Sequence, residues 1–283
     1  MKFRILLFLL VAVMMTACQQ EAAEKDTLPS GYEYILHTPD NTAPKAEPGA
    51  IAFFRYGMRN DDELVVSNYD DTFAQPQPIA DPNSPRQLNP IEEALMLMAE
   101  GDSLTIIVPL DTVPAEQRPQ GFENSEALYY DITLEELKSK DDLATKQEEV
   151  AAMVNETIEA YTGGTLEGIQ TTDSGLKYVI HQEGEGIIPA SSDYVYVDYF
   201  GALTDGTRFD DSFSRGIPFA FQVGVGQVIP GWDEGLTIIP VGSKATFFIP
   251  SELGYGEAGA PPNIPGNSEL VFYVELNDSA KPQ

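Results

Sequence analysis

The feature that most constrains the fold of this chain is an internal repeat. Residues 30–37 and 174–181 both begin with Ser-Gly, continue as an alternating apolar run and end in histidine, 144 positions apart. Residues 88–95 match 229–236 at an offset of 141, and residues 130–134 match 272–276 at an offset of 142. Similar segments that recur in the same order indicate a duplicated structural unit. The sequence therefore predicts two copies of one domain within the chain.

Each copy is expected to be a small antiparallel sheet around a short helix. In the second copy, residues 194–200, 219–223, 245–249 and 270–276 alternate in side-chain character, as half-buried strands do. Only residues 232–238 have the pattern of a helix, and that helix is short. Several strands around one short helix, without regular alternation of strands and helices, are typical of the α+β fold class.

A connecting helix is expected between the two copies. Residues 134–161 contain no glycine or proline, and their apolar side chains recur at helical spacing until Gly163 and Gly164. We therefore predict a helical linker over residues 135–162. Its apolar stripe leaves two interpretations open: it packs against a domain of the same chain, or it joins a second copy of the chain in a homodimer.

The N-terminus is typical of an exported protein. Lys2 and Arg4 precede an apolar run of 11 residues, and small residues follow it up to Cys18. This pattern predicts a signal peptide over residues 1–17, because a helix that spans a bilayer needs about 20 apolar residues. The residues around Cys18 resemble the bacterial lipobox, which implies that this cysteine is the first mature residue and carries lipid. An ordinary signal peptide with an incidental cysteine is the alternative.

The lipobox resemblance implies a location as well as a modification. Residues 18–29 would be a flexible, lipidated tether between the membrane and the folded protein. The protein would then be anchored at the cell envelope, with the outer membrane as the expected membrane, and not in the cytoplasm.

Charge and residue types exclude several classes of function. A formal net charge of −29 leaves no basic patch to offset phosphate repulsion, so nucleic acid is not an expected partner. His37 and His181 lie far apart in sequence, and the chain has one cysteine, so neither a metal site nor an intramolecular disulfide is expected. No phosphate-binding loop and no Ser-His-Asp arrangement is recognisable, and no cofactor is expected.

Motifs in the second copy point to one protein family. They are VDYFG at residues 197–201, DGTRFDDS at 205–212, GQVIPGWDEGL at 226–236 and LGYG at 253–256. Together they resemble the FKBP-type peptidyl-prolyl cis-trans isomerases over about residues 174–278. The resemblance implies that residues 165–283 form an FKBP-like isomerase domain.

The resemblance also implies a pocket for proline. Its catalytic positions would be Tyr199, Phe209, Asp210, Trp232, Tyr255 and Phe272. Its substrate-binding positions would be Phe219, Val228, Ile229 and Ile264. In the family pattern Trp232 forms the floor, while the Tyr255 hydroxyl and the Ile229 N–H hold substrate carbonyls. Ala260 and Asn263 depart from the commonest residues of the loop over the pocket, which bears on ligand preference.

Such a pocket would act on prolyl amide bonds without breaking a bond. Rotation of the amide crosses a barrier of about 18–20 kcal/mol because it destroys resonance, and it requires no nucleophile or metal. The twisted amide is less polar than the planar one, so a water-poor aromatic pocket favours the transition state. The expected function is a peptidyl-prolyl isomerase that assists folding of exported, proline-containing polypeptides. The alternative is a proline-segment binding protein or holdase chaperone with little turnover.

The first copy, residues 30–134, departs from this pattern at its key positions. With Gly57 aligned on Gly201, Arg55 takes the position of Tyr199. Val65 and Val66 replace Phe209 and Asp210, and Ile91 replaces Trp232. The resemblance therefore implies a degenerate FKBP-like domain without isomerase activity.

Overall fold

Two seven-stranded antiparallel sheets dominate the computed structural model, which describes residues 25–37, 42–69 and 74–281. The first sheet contains β1 (Lys25–Thr27), β2 (Glu33–Leu36), β3 (Ile51–Arg59), β4 (Leu64–Ser67), β5 (Gln75–Pro78), β6 (Ser103–Pro109) and β7 (Ala127–Lys138). The second contains β8 (Gln170–Thr171), β9 (Lys177–Gln182), β10 (Tyr194–Leu203), β11 (Arg208–Asp211), β12 (Phe219–Gln222), β13 (Lys244–Ile249) and β14 (Leu270–Ala280). Helices α1, α2 and α3 span Pro90–Leu95, Lys140–Thr162 and Pro230–Gly235. These sheets and few helices are consistent with the predicted α+β class.

The two sheets have the same topology. Their strands follow the orders β1-β2-β6-β7-β3-β4 and β8-β9-β13-β14-β10-β11, and β5 and β12 pair with β3 and β10 in equivalent places. The repeated segments at residues 30–37 and 174–181 supply β2 and β9. Sequence similarity at a fixed offset thus coincides with equivalent strands in the two halves.

The helix between the sheets begins later than predicted. Residues 135–138, which we assigned to the linker, extend β7, and residues 136–138 pair with β3 at Phe53, Ala52 and Ile51. The helix starts after Ser139, whose side chain accepts a hydrogen bond from the Asp142 N–H while the Asp142 carboxylate accepts one from the Ser139 N–H. This reciprocal capping box fixes the start of α2, because it satisfies N–H groups that have no partner within the helix.

The predicted tether also ends earlier than expected. Lys25–Thr27 pairs with β2 as a strand, and the Leu28 side chain is buried in the core of the first domain. Burial of this apolar side chain stabilises the folded state, so the last residues of the predicted tether belong to the folded domain. Cys18 and the predicted signal peptide lie outside the described residues. Within the described ranges, no helix has the length and apolar composition needed to cross a membrane.

Helix α2 packs on the second domain. Its buried side chains Val150, Val154 and Ile158 contact the outer face of the second sheet at Phe200 and Phe248. Tyr161 stacks on Phe248 with ring centroids 3.8 Å apart. This part of the helix is therefore covered by the second domain of the same chain, as the first of the two interpretations predicts.

Coverage by α2 explains a difference in composition between the sheets. In β13 the residues from Ala245 to Ile249 are all buried, because one face packs on α3 and the other on α2. The outer face of the first sheet instead carries ion pairs, between Arg55 and Glu135 and between Arg59 and Asp131. A sheet covered on both faces needs apolar residues in succession, whereas a sheet covered on one face alternates.

Candidate functional site

All ten side chains predicted for the pocket line one cleft of about 480 Å³ in the second domain. The cleft lies between α3, strands β10, β11 and β14, and the loop that follows β13. The predicted residues in its wall are Tyr199, Phe209, Asp210, Phe219, Val228, Ile229, Trp232, Tyr255, Ile264 and Phe272. Gln227, Ala260 and Asn263 also line it. Segments separated by up to about seventy residues in sequence thus meet in one concave surface.

The floor of the cleft is aromatic. Trp232 is 4% exposed, and its ring meets those of Tyr199 and Phe272 edge-on, with centroids 5.2 and 5.1 Å away. Phe209 meets Phe272 edge-on at 5.3 Å. Edge-to-face packing of this kind is a favourable arrangement of aromatic quadrupoles and makes a rigid apolar surface.

Two glycines of α3 place the tryptophan at that depth. A Cβ at Gly231 would lie 2.5 Å from Cγ2 of Ile249, and one at Gly235 would lie 2.7 Å from Cε2 of Phe247. Only glycine allows the helix backbone to approach β13 so closely. The Trp232 Nε1–H is buried without a hydrogen-bond acceptor in the part of the chain that the structure describes.

A polar corner borders the aromatic floor. The Tyr199 hydroxyl donates a short hydrogen bond to Oδ2 of Asp210. Arg215 donates from Nη1 to Oδ1 of Asp210 and from Nη2 to the Tyr199 hydroxyl oxygen, both at 2.8 Å. The three side chains therefore form a closed hydrogen-bonded ring at the mouth of the cleft.

The ring fixes the protonation states of its members. Burial opposes ionisation of Asp210, but hydrogen bonds from Tyr199 and Arg215 outweigh it and lower the pKa of the carboxyl group. Burial, followed by the neighbouring Asp210 carboxylate, raises the pKa of Tyr199 to about 12. At neutral pH the corner thus consists of a carboxylate, a neutral phenol and a guanidinium group.

Sequence reasoning did not identify Arg215. It lies in the loop after β11, outside the motif segments, and an exposed arginine in a loop has no distinctive pattern. The available signal was its position five residues after Asp210, in a chain with only 16 lysines and arginines.

The rim of the cleft offers hydrogen-bond groups to a ligand. The Tyr255 side chain is 41% exposed, and burial of the remainder, with the nearby Asp210 charge, raises its pKa. Ile229 is the N-cap residue of α3 and has extended backbone dihedral angles. Ala260 and Ile264 exchange backbone hydrogen bonds of 2.9 and 3.0 Å, which closes the loop that carries Asn263 at the rim.

The two histidines lie outside the cleft. His181 forms a 2.8 Å hydrogen bond with Thr246, and burial lowers the pKa of its ring. His37 forms the equivalent 2.8 Å contact with Thr105 in the first domain. The cleft therefore contains no imidazole to move a proton, and its chemistry rests on apolar contact and hydrogen bonding.

The corresponding strands of the first domain show that our alignment was wrong by one residue. Tyr56 pairs with Ile132 as Tyr199 pairs with Val274, so Tyr56 rather than Arg55 occupies the Tyr199 position. A second pair of contacts agrees: the Tyr56 N–H donates to Asn68 Oδ1 at 2.6 Å, and the Tyr199 N–H donates to Ser212 Oγ at 2.9 Å. A slip of one residue exchanges the faces of a strand, and Arg55 points to the outer face, where it pairs with Glu135.

The replacements of Phe209 and Asp210 keep their predicted positions. The predicted replacement of Trp232 by Ile91 does not, because Pro90 and Pro230 are both the first residues of their helices, so Glu92 has the helical position of Trp232. Val66 pairs with Met58 as Asp210 pairs with Gly201, and Val65 takes the bulged position of Phe209. A Cβ at Gly201 would lie 2.6 Å from Cε2 of Phe209, so the methionine at this position leaves no equivalent room for an aromatic ring. The first domain therefore keeps tyrosines at the positions of Tyr199 and Phe272, Tyr56 and Tyr130, but has valines at those of Phe209 and Asp210.

Comparison with known proteins gives a consistent result for the second domain. A family model described as FKBP-type peptidyl-prolyl cis-trans isomerase matches residues 186–277. FK506-binding protein 1A of Aspergillus fumigatus is 47% identical over 103 residues, which cover 36% of this chain and 92% of that protein. The isomerase FkpA of Aeromonas hydrophila is 53% identical over 116 residues, 41% of this chain and 42% of that protein, so this chain spans less than half of that relative. The crystal structure of FkpA from Escherichia coli shares 42% identity and covers 50% of this chain and 66% of that chain, with a TM-score of 0.40.

Proposed function

This chain belongs to the FKBP-type peptidyl-prolyl cis-trans isomerase family, and from that membership we propose that its second domain catalyses rotation about prolyl peptide bonds in polypeptides. The observation that carries the proposal is the cleft, in which an aromatic floor and a polar corner meet. A prolyl ring is apolar and compact, and the floor formed by Trp232, Tyr199 and Phe272 matches it in size and polarity.

Catalysis follows from the difference in polarity between the planar and the twisted amide. The planar amide is resonance-stabilised and well solvated, so transfer into a water-poor aromatic cleft disfavours it. The twisted amide has lost resonance and is disfavoured less, which lowers the barrier relative to water. A thousandfold acceleration corresponds to about 4 kcal/mol, which desolvation together with one or two hydrogen bonds can supply.

Groups at the rim would orient the substrate. In this proposal the Tyr255 hydroxyl and the Ile229 N–H donate to substrate carbonyls, which is supported by the positions of both residues in the wall of the cleft. The Asp210 carboxylate is held by Arg215 and Tyr199 and remains charged. It would disfavour the approach of a carbonyl oxygen by repulsion and favour the side of the prolyl amide that carries C–H groups, since the proline nitrogen has no hydrogen.

We further propose that the protein works at the cell envelope on exported polypeptides. The basic start, the short apolar run and Cys18 support a signal peptide and a lipid anchor, with residues from Cys18 to about 24 as the tether. In this proposal the first domain is a degenerate copy that separates the catalytic domain from the membrane. The valines at the positions of Phe209 and Asp210 support the absence of activity there.

A binding function without turnover is the second candidate. Ala260 and Asn263 lie at the rim of the cleft and differ from the commonest residues of the family, so they alter contacts to the ligand. A holdase would bind proline-containing segments with the same floor but would leave their exchange rate unchanged.

A protease-coupled assay with the full chain tests the proposal. The substrate is a proline peptide that the protease cleaves only in the trans form, and the rate of the slow phase is measured against enzyme concentration. An isomerase accelerates the slow phase in proportion to its concentration, well below the concentration of the peptide. A slow phase that stays at the uncatalysed rate, with peptide binding detected separately by calorimetry, would support the holdase and reject the isomerase.

A further inference from the structure

One loop of the second domain contacts both the cleft and the first domain. In residues 212–218, which follow β11, Arg215 reaches Asp210 and Tyr199 in the cleft, and the next residue, Gly216, packs against Ile51 of β3 and Leu143 of α2. We propose that Ile51 and Leu143 are positioning residues for the cleft: they hold the loop in the place from which Arg215 bonds to Asp210 and Tyr199. This inference rests on the proposed isomerase function and assigns part of that function to the first domain and the linker.

The contact at Gly216 is direct and leaves no space. The residue has a φ of +68°, a region that favours glycine, and a Cβ placed there would lie 2.6 Å from Cδ2 of Leu143 and 3.0 Å from Cγ1 of Ile51. Side chains of two other structural elements thus touch the loop backbone itself. Ile51, Phe53, Ala74 and Leu143 form a small buried cluster around this point, with Ile217 packed against it.

A displacement of Gly216 would also displace Arg215, because hydrogen bonds hold both residues in one tight turn. The N–H groups of Arg215 and Gly216 both donate to the Ser212 carbonyl, at 3.0 and 2.9 Å. The Ser212 hydroxyl in turn donates to Asp198 at 2.7 Å and accepts from the Tyr199 N–H at 2.9 Å. The loop is therefore anchored at one end by β10 and at the other by the first domain and α2.

Helix α2 holds the same segment at a second point. Gln147 donates from Nε2 to Oδ2 of the buried Asp211 at 3.3 Å, and Asp211 also accepts from the Ser214 N–H at 2.7 Å. Leu143 and Gln147 are four residues apart and so share one face of the helix. That face is directed at the segment next to Asp210, while Val150 and Val154 pack on the sheet further along.

The loop has room to move if the side chains that contact it are truncated. A cleft of about 550 Å³ between the two domains is lined by Leu143, Phe213 and Gly216 among others. Truncation of Leu143 would allow the loop to relax into this space, because the side chain that packs against Gly216 would no longer fill it. Arg215 would then lose the geometry of its two bonds, and Asp210 and Tyr199 would lose their common partner. The apolar floor is not part of this loop, so the effect would fall on turnover more than on substrate affinity.

A set of full-chain variants tests the inference with two independent measurements. Leu143→Ala and Ile51→Ala remove the contact, Leu143→Met keeps most of the side-chain volume, and Ile158→Ala is the matched control on the same helix. Ile158 is buried against the outer face of the sheet, about 22 Å along the helix from Leu143 at about 1.5 Å per residue. Turnover is measured with the proline peptide, and the emission and acrylamide quenching of Trp232, the single tryptophan of the chain, report on the cleft.

We expect Leu143→Ala and Ile51→Ala to lower kcat by about threefold to tenfold with little change in KM, since small displacements of orienting groups are costly. Both should also change the Trp232 emission, because Tyr199 lies 5.2 Å from its ring. Leu143→Met should restore both properties, and Ile158→Ala should leave both unchanged. Circular dichroism checks folding, and Ile51→Val replaces any variant that unfolds.

Equal effects of Leu143→Ala and Ile158→Ala, or no effect of Leu143→Ala and Ile51→Ala, would overturn the inference. If the wild-type chain shows no turnover, the proposed function fails. The Trp232 emission of the variants still decides whether Ile51 and Leu143 hold the residues of the cleft in place.

Discussion

Asp210 and Arg215 determine the electrostatics at the mouth of the cleft. Arg215 is bound to both Asp210 and Tyr199, so the carboxylate is held in one orientation and its charge is partly balanced. The aromatic residues supply the apolar surface and this corner supplies direction, and each depends on a small number of contacts. Substitutions that remove apolar surface and substitutions that remove a hydrogen bond should therefore lower turnover to different extents.

Tyr255→Phe and Phe209→Ala should reduce turnover to different extents. The first removes one hydrogen bond, typically worth about 0.5–1.5 kcal/mol, and should lower kcat/KM by about threefold to tenfold. The second opens the wall beside Phe272 to water and should lower kcat/KM more. The protease-coupled assay measures both, with circular dichroism to exclude unfolding. A larger effect of Tyr255→Phe than of Phe209→Ala would contradict desolvation as the main source of catalysis.

Activity should be nearly independent of pH between about 6 and 8, since no group proposed to act titrates there. The pKa of Asp210 is lowered from its ordinary 3.8, so the carboxylate stays charged throughout this range. The charged carboxylate contributes fully to stability above pH 3.8, its ordinary pKa. This contribution is lost as the pH falls through the lower pKa that Asp210 has in the folded protein. His181→Ala should leave the rate unchanged. A bell-shaped profile that disappears in this variant would require an acid–base mechanism instead.

At the scale of elements, α2 stabilises the second domain by covering its outer sheet face. Ile158 is 4% exposed and packs in the cluster with Phe200 and Phe248. The helix also carries Lys146, which forms an ion pair with Glu275 at 3.1 Å. Burial opposes ionisation of Glu275, but hydrogen bonds from Lys146 and Tyr273 lower the pKa of its carboxyl group.

Ile158→Ala should lower the free energy of unfolding by about 2–5 kcal/mol, as expected for truncation of a buried isoleucine. Glu156→Ala, at an exposed position of the same helix, should change it by no more than about 0.5 kcal/mol. Urea denaturation followed by circular dichroism measures both. Equal stability of the two variants would show that α2 does not pack on the sheet as described.

The sequence predicted some elements well and others poorly, for physical reasons. The strands at residues 30–37 and 174–181 were found because similarity at a fixed offset is independent of the details of packing. The start of α2 was missed because residues 135–138 suit a helix in isolation, while pairing with β3 holds them in a strand. Arg55 was misplaced because the first copy has one more residue between β2 and β3 than the second copy, and a slip of one residue reverses a strand.

Residues of the candidate site that lie in local sequence motifs could be predicted from the sequence. Residues that only the fold brings to the site could not. Trp232 and Tyr255 lie in motif segments that recur in the family, so they were identified without coordinates. Arg215 is defined by its bonds to Asp210 and Tyr199, and Leu143 by its contact with Gly216. Relationships of this kind become visible only in three dimensions.

For the whole molecule, we propose a membrane-tethered catalyst with one active copy of a repeated domain. The proposed anchor would depend on Cys18, the single cysteine of the chain. Cys18→Ala should therefore yield protein without lipid, which mass spectrometry of the purified chain detects, and should release it from the membrane fraction. A Cys18→Ala chain that still carries fatty acid would contradict the proposed anchor.

The first domain should fold but should not catalyse isomerisation. A chain of residues 25–139 contains all seven strands of the first sheet, and it has valines at the positions of Phe209 and Asp210. Circular dichroism checks its folding and the protease-coupled assay checks its activity. Isomerisation by this segment would contradict the proposed division of labour, despite the tyrosine at position 56.

The central claim is that the cleft of the second domain accelerates prolyl rotation rather than merely binding proline. Exchange NMR on a proline peptide with a catalytic amount of the full chain measures the cis-to-trans rate directly at equilibrium, where binding alone cannot change it. The account predicts exchange cross-peaks that are absent without the protein, unchanged cis and trans populations, and strongly reduced exchange with Phe209→Ala. Peptide line broadening from binding, with no exchange between the cis and trans signals, would contradict it.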